Sequence, residues 1–243
     1  MDYPILMYHQ IDVSPPRGTP LRGLTVTPEK FARQMGFLKL MGYRGVCMTE
    51  LEPYLRGEIT GKVVGITFDD GYRNNLQYAL PILCKHGFSA TCYAVSNPGQ
   101  GYNSWDARNG VPQSPLLSPH EMRDWVNAGM ELGAHTRHHA DLTAINPHQA
   151  MDEISGCKQE LEAHTGREVR HFCYPYGRYD PTHIQMVQQA GYLTATTTHR
   201  GRVKPGDDLF ELRRVLIAHS NHLALFQFGL IHFLKSSIFE GTN

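Results

Sequence analysis

The feature that most constrains the fold is an alternation of strand-like and helix-like segments along the chain. Helix-like segments begin at capping signals such as Thr27-Pro28-Glu29 and Ser118-Pro119-His120-Glu121, and they end at glycines. Strands that alternate with helices in this way are parallel, so the pattern predicts either a barrel or a doubly wound sheet. Short apolar runs place the predicted strands at residues 5–9, 63–68, 90–95, 131–134, 169–174, 193–197 and 212–217.

Residues able to do chemistry gather where the predicted strands finish. They are His9, Asp69, Asp70, His135, His139 and Tyr176. The carboxyl ends of parallel strands share one rim of a barrel, so this placement favours the barrel over the open sheet. No change of composition marks a boundary within residues 1–243, and a single catalytic domain is therefore expected.

Charge and hydropathy exclude several classes of protein. Lys plus Arg and Asp plus Glu number 23 each, so no strong field draws the chain to nucleic acid or to an anionic membrane. No apolar run approaches the roughly 20 residues that span a bilayer, and a final apolar helix at residues 223–234 is expected to pack on the core. The start resembles no signal peptide, which predicts a cytoplasmic protein, or an extracytoplasmic one if the sequence is trimmed. Nothing in the sequence indicates an oligomeric state.

The polar strand ends suggest a metal site. His135 and His139 are four residues apart, a spacing that places two imidazoles on one side of a helical turn. One carboxylate from a neighbouring strand end would complete a set of two imidazoles and one carboxylate, which leaves positions open for water as in catalytic zinc sites. The second carboxylate would then be free to act as a base. The simpler alternative is that Asp69 or Asp70 only caps the following helix.

Three motifs follow one another along the chain. They are Thr67-Phe68-Asp69-Asp70-Gly71, the pair His135-Thr136 with His139, and Tyr174-Pro175-Tyr176-Gly177. In this order they resemble the motifs of the polysaccharide deacetylase (NodB-homology) family. The resemblance extends over about residues 4–217. The opening Ile5-Leu6-Met7-Tyr8-His9 further resembles the branch that includes poly-N-acetylglucosamine deacetylases. The resemblance implies an irregular (β/α) barrel that removes N-acetyl groups from an N-acetylglucosamine-type glycan or oligosaccharide and releases acetate.

The same resemblance assigns a role to each motif residue. Asp70, His135 and His139 would bind a divalent metal, with zinc favoured and cobalt, nickel or iron also suited to these ligands. Asp69 would be the general base that takes a proton from the attacking water. The backbone N–H of Tyr176 would help to stabilise the oxyanion. His9 would be the general acid for the departing amine.

Two departures from the family pattern leave alternatives open. Cys173 stands where the commoner third motif carries an arginine that orients the base. Arg214 is the candidate to supply that charge, with Arg213 as its competitor. His219, in a segment similar to the late histidine motif of other members, competes with His9 as the general acid.

Two other functions fit parts of the pattern. The same site would cleave small non-sugar amides, which makes a metal-dependent amidohydrolase the second hypothesis. An inactive carbohydrate-binding homologue is the third, although binding alone needs no base. Trp105, in the loop at residues 98–115, can either stack on a sugar or pack against the domain.

Overall fold

The computed structural model of the chain describes residues 2–220, so the helix predicted at residues 223–234 lies outside the described residues. Ten strands are present in this part. They are β1 (Ile5–Tyr8), β2 (Gln10–Ile11), β3 (Thr25–Val26), β4 (Arg44–Val46), β5 (Val63–Phe68), β6 (Thr91–Ala94), β7 (Glu131–Ala134), β8 (His171–Cys173), β9 (Thr194–Arg200) and β10 (Leu212–Leu216). All seven predicted strands are found, some of them shorter than the apolar runs that predicted them.

Seven parallel strands close into a barrel. Their order around the ring is β1, β10, β9, β8, β7, β6 and β5, and the ring closes where Ile5–Tyr8 of β1 pairs with residues 65–68 of β5. The short strand β4 adds to the amino-terminal half of β5, where Val46 lies opposite Gly65. The predicted (β/α) barrel is therefore confirmed.

Six helices connect the strands. They are α1 (Pro28–Leu40), α2 (Met48–Leu55), α3 (Leu80–His86), α4 (Pro119–Asn127), α5 (Pro147–Thr165) and α6 (Pro181–Gln189). Capping boxes at Ser118, Asn146 and Asp180 satisfy the first backbone N–H groups of α4, α5 and α6, each with proline in the first turn. A π-helical turn at Asn75–Ala79 precedes α3. Within residues 2–220, every helix falls short of the length and hydropathy needed to cross a membrane.

Strand alternation separates an outer core from the barrel interior. In β5, Val64, Ile66 and Phe68 pack in the core beneath the helices, while Thr67 faces inward. Helix α2, which the sequence analysis missed, lies at the amino ends of the strands, where Glu131 at the start of β7 accepts hydrogen bonds from its first N–H groups. The opposite end of the barrel is left for the polar strand termini.

Candidate active site

A cavity of about 280 Å³ lies at the carboxyl ends of the barrel strands. All six residues singled out at the predicted strand ends line it: His9, Asp69, Asp70, His135, His139 and Tyr176. Two loops form much of the remaining wall, the β2–β3 loop (residues 12–24) and the β6–α4 loop (residues 95–118). The structure thus brings residues from six separate segments of the chain to one rim.

Asp70, His135 and His139 form a buried cluster. Oδ1 of Asp70 lies 3.3 Å from Nε2 of His135 and 3.3 Å from Nε2 of His139, and the three candidate donor atoms lie within 4.8 Å of one another. Burial alone would raise the pKa of Asp70, but hydrogen bonds from the two histidines outweigh it and hold the pKa well below its usual value. An anionic oxygen and two imidazole nitrogens this close together are a donor set that fits a divalent cation such as zinc.

The histidine pair does not lie on a helical turn, contrary to the expectation from its spacing. It lies in an irregular loop after β7, in which Thr136 has φ 62° and His139 has φ 58°. Asp70, with φ 74°, is also left-handed. Such backbone costs a non-glycine residue about 1–3 kcal/mol and is typical of functional sites. The two imidazoles meet because the chain reverses tightly in this loop. The sequence therefore predicted that His135 and His139 lie together, but the helical turn expected between them was wrong.

Asp69 faces the barrel interior and pairs with Arg214. The two guanidinium nitrogens of Arg214 donate to the two carboxylate oxygens of Asp69, each at 2.7 Å, and Nε donates to the carbonyl of Thr197 at 2.8 Å. Arg214 is fully buried, whereas Arg213 is exposed on the other face of β10. Burial would raise the pKa of Asp69, but the charge and hydrogen bonds of Arg214 lower it below its ordinary value.

His9 and His219 occupy different surroundings. His9 lines the cavity, its carbonyl accepts a hydrogen bond from Asn75 at 2.8 Å, and its buried Nδ1 has no hydrogen-bond partner within residues 2–220. His219 contacts the β2–β3 loop instead. Its Nδ1 lies 3.1 Å from Oγ of Ser14, and its backbone N–H donates to the carbonyl of Gly23. Of these two histidines, only His9 lines the cavity.

Tyr176 lies in a strained turn at the cavity mouth. Its φ is 59°, and 41% of the residue is exposed. The next residue has to be glycine, because a Cβ atom on Gly177 would lie only 1.9 Å from Oγ1 of Thr198. This turn holds the backbone of Tyr176 at the cavity, and its ring contacts His139 edge-on at 4.6 Å between centroids.

Two residues of the cavity wall were not assigned from the sequence. The indole of Trp105 stacks on the imidazole of His139, with centroids 4.3 Å apart and planes 14° apart, and it also lines the cavity. Leu21 is half-exposed at the cavity and left-handed with φ 55°. No local sequence pattern predicts either contact, because both depend on how long loops fold over the barrel.

Comparison with known proteins identifies the family that the motifs predicted. The polysaccharide deacetylase family model matches residues 56–195. The YxkH protein of Bacillus subtilis, named as a polysaccharide deacetylase, is 28% identical over 217 residues, which are 88% of this chain and 71% of that protein. The poly-beta-1,6-N-acetyl-D-glucosamine N-deacetylase of Staphylococcus epidermidis is 22% identical over 82% of this chain and 70% of its own length.

A solved structure gives the same result. The Streptococcus pyogenes deacetylase PplD superposes with a TM-score of 0.81 at 28% identity, over 93% of this chain and 97% of its own. The chain belongs to the polysaccharide deacetylase family and is a carbohydrate deacetylase.

Proposed function

We propose that the protein is a metal-dependent N-deacetylase of an N-acetylglucosamine-type glycan, with residues 1–243 as one catalytic domain. The products are acetate and a glycan that carries a free amine. The observation that carries the proposal is one cavity that holds the Asp70, His135 and His139 cluster next to a second carboxylate oriented by a buried arginine.

Asp70, His135 and His139 are the residues that would hold the metal, and zinc matches their donor set best. When bound there, a divalent metal supplies Lewis-acid polarisation of the substrate carbonyl and acidifies water. Nδ1 of His135 donates to the carbonyl of Cys173 at 2.7 Å, which leaves Nε2 as the nitrogen presented to the site. Asp70 can supply the anionic oxygen, because an aspartate is ionised at neutral pH, as a ligand has to be.

Asp69 is the proposed general base. It is ionised at neutral pH, and the two hydrogen bonds from Arg214 prevent its carboxylate from rotating. Its place beside Asp70 at the cavity suits it to take a proton from the water that attacks the acetyl carbon. Proton removal and metal binding can be assigned to separate acids because Asp69 faces Arg214, whereas Asp70 faces the two histidines.

His9 and the backbone of Tyr176 complete the proposed mechanism. His9 donates a proton to the nitrogen of the departing amine, which its position on the same cavity wall permits. The N–H of Tyr176 donates to the oxyanion of the tetrahedral intermediate, and the strained turn holds it ready before substrate binds. Proton removal and proton delivery thus fall to residues of different strands.

The cavity wall supports a carbohydrate as the substrate. Leu21 and Tyr176 are both exposed at its rim, with 50% and 41% of their surfaces accessible. Apolar and aromatic groups of this kind bury the C–H faces of a sugar ring. A volume of about 280 Å³ is close to the lower limit of roughly 300 Å³ for small-ligand sites, which suits one acetamido sugar as the group bound.

Acetate release tests the proposal. Zinc-loaded protein should release acetate from chitooligosaccharides or poly-N-acetylglucosamine much faster than from simple amides. Asp69→Asn should reduce that rate by about 10²–10⁴-fold, because it removes the base, while elemental analysis finds the metal content unchanged. Release from simple amides alone, or full activity in Asp69→Asn, would contradict the proposal.

A further inference from the structure

The two histidines of the cluster are oriented by different means. Nδ1 of His135 donates to a main-chain carbonyl at 2.7 Å. Nδ1 of His139 is buried and has no hydrogen-bond partner within residues 2–220. Metal-binding histidines generally use this second nitrogen to fix the plane of the ring. His139 lacks that constraint, so something else has to set its orientation.

Aromatic packing holds the His139 ring. Trp105 covers it face to face at 4.3 Å with planes 14° apart, and Tyr176 contacts it edge-on at 4.6 Å with planes 80° apart. Rotation of the imidazole about its bond to Cβ would break the parallel stack with Trp105. The indole therefore restrains the same torsion that a hydrogen bond from Nδ1 would restrain.

The β6–α4 loop that carries Trp105 is anchored next to Asp70, another of the three proposed ligands. Leu117 donates to the carbonyl of Gly71 at 2.8 Å, and Arg73 donates to the carbonyl of Pro115 at 3.0 Å. Asn103, which is fully buried, accepts a hydrogen bond from the backbone of Ser114 and closes the loop on itself. The indole is thus carried by a loop that is hydrogen-bonded to Gly71 and Arg73, just after Asp70 in the sequence.

We propose that Trp105 is a positioning residue, which orients Nε2 of His139 for divalent metal through ring stacking. The inference rests on the proposed function, since it needs a metal at Asp70, His135 and His139. Metal affinity would then depend on the β6–α4 loop, which contributes no metal ligand. Partners that orient a metal ligand typically contribute about 10–100-fold to affinity, which sets the expected effect.

The test measures zinc affinity, by competition with a chromophoric chelator, in apo protein and its variants. Trp105→Ala should weaken zinc binding about 10–100-fold. Trp105→Phe keeps a flat ring and should recover most of the affinity. Tyr102→Ala is the matched control, because Tyr102 lies in the same loop, is exposed, and does not line the cavity. It should bind zinc as the wild type does, and thermal unfolding in chelator should show all three variants folded.

Two results would overturn the inference: unchanged affinity in Trp105→Ala, or equal weakening in Tyr102→Ala, which would assign the effect to loop order. Failure of the proposed function has a different signature. In that case the zinc-loaded wild type releases no acetate from glycans, whatever the affinities of the variants are.

Discussion

At the scale of single residues, the site depends on two adjacent acids that face different partners. Asp69 continues the alternation of β5 and points into the barrel toward Arg214. Asp70 leaves the strand with φ 74°, and its carboxylate turns to His135 and His139. The left-handed residue is what allows neighbours in sequence to serve separately as proposed base and proposed ligand.

Arg214 and Arg213 provide a matched pair of substitutions. Arg214→Gln leaves the carboxylate of Asp69 buried without its cation, which should lower the free energy of unfolding by about 3–5 kcal/mol. It should also lower kcat/KM at least about 100-fold, because the base loses its orientation. Arg213→Gln changes an exposed side chain and should stay within about 0.5 kcal/mol of the wild type. Urea unfolding and acetate release measure both effects, and similar losses in the two variants would refute the role given to Arg214.

Leu21 offers a substitution that removes a side chain without straining the backbone. Glycine accepts the φ of 55° readily, so Leu21→Gly should change the free energy of unfolding by less than about 1 kcal/mol. If the side chain covers a sugar face, the KM for a chitooligosaccharide should rise about fivefold, as expected for roughly 1 kcal/mol of lost apolar contact. Val13→Ala, an exposed apolar change in the same loop outside the cavity wall, should leave KM unaltered. An unaltered KM in Leu21→Gly would remove Leu21 from the substrate site.

At the scale of elements, the barrel interior supports the site from below. Gly133 in β7 makes room for the ring of Tyr93, since a Cβ atom there would lie 2.4 Å from that ring. Tyr93 in turn lies beneath Arg214, whose guanidinium carbon is 5.8 Å from the ring centroid. Gly133 on β7 therefore leaves room for the tyrosine ring that packs against Arg214, the arginine paired with the proposed base.

Alanine substitutions at two glycines distinguish this packing effect from the general effect of adding a methyl group. Gly133→Ala forces Tyr93 to move and should destabilise the protein by about 1–3 kcal/mol, with a loss of activity through Arg214. In Gly36→Ala, in helix α1, the added Cβ would have its nearest neighbour at 3.9 Å, so it should stabilise by about 0.5–1 kcal/mol. Denaturant unfolding of both variants measures the contrast. Equal stabilities would show that Tyr93 relaxes without cost.

Local patterns were enough to predict many elements and failed at identifiable places. The capping signals at Thr27 and Ser118 located the starts of α1 and α4, because these signals act within a few residues. The short β4 and helix α2, which contains Pro53, carry no such signal and were missed. The preference for Arg214 over Arg213 agrees with strand alternation, since Arg214 shares the buried face of β10 with Leu212.

At the scale of the whole molecule, closure of the barrel makes the site possible. The rim on which parallel strands end collects His9, Asp69 and His135 from strands that are distant in sequence. That gathering could be predicted, because it follows from topology. The stack of Trp105 on His139 and the place of Leu21 could not, because they depend on the path of two long loops over the rim.

The central claim is that one divalent metal is held by Asp70, His135 and His139 beside the proposed base. The most direct measurement is anomalous diffraction at the zinc edge from crystals grown with zinc. The account predicts a strong anomalous peak between Oδ1 of Asp70 and the Nε2 atoms of His135 and His139, within the cavity that Asp69 also lines. No peak at that point in zinc-loaded crystals, or a peak only elsewhere on the protein, would contradict it.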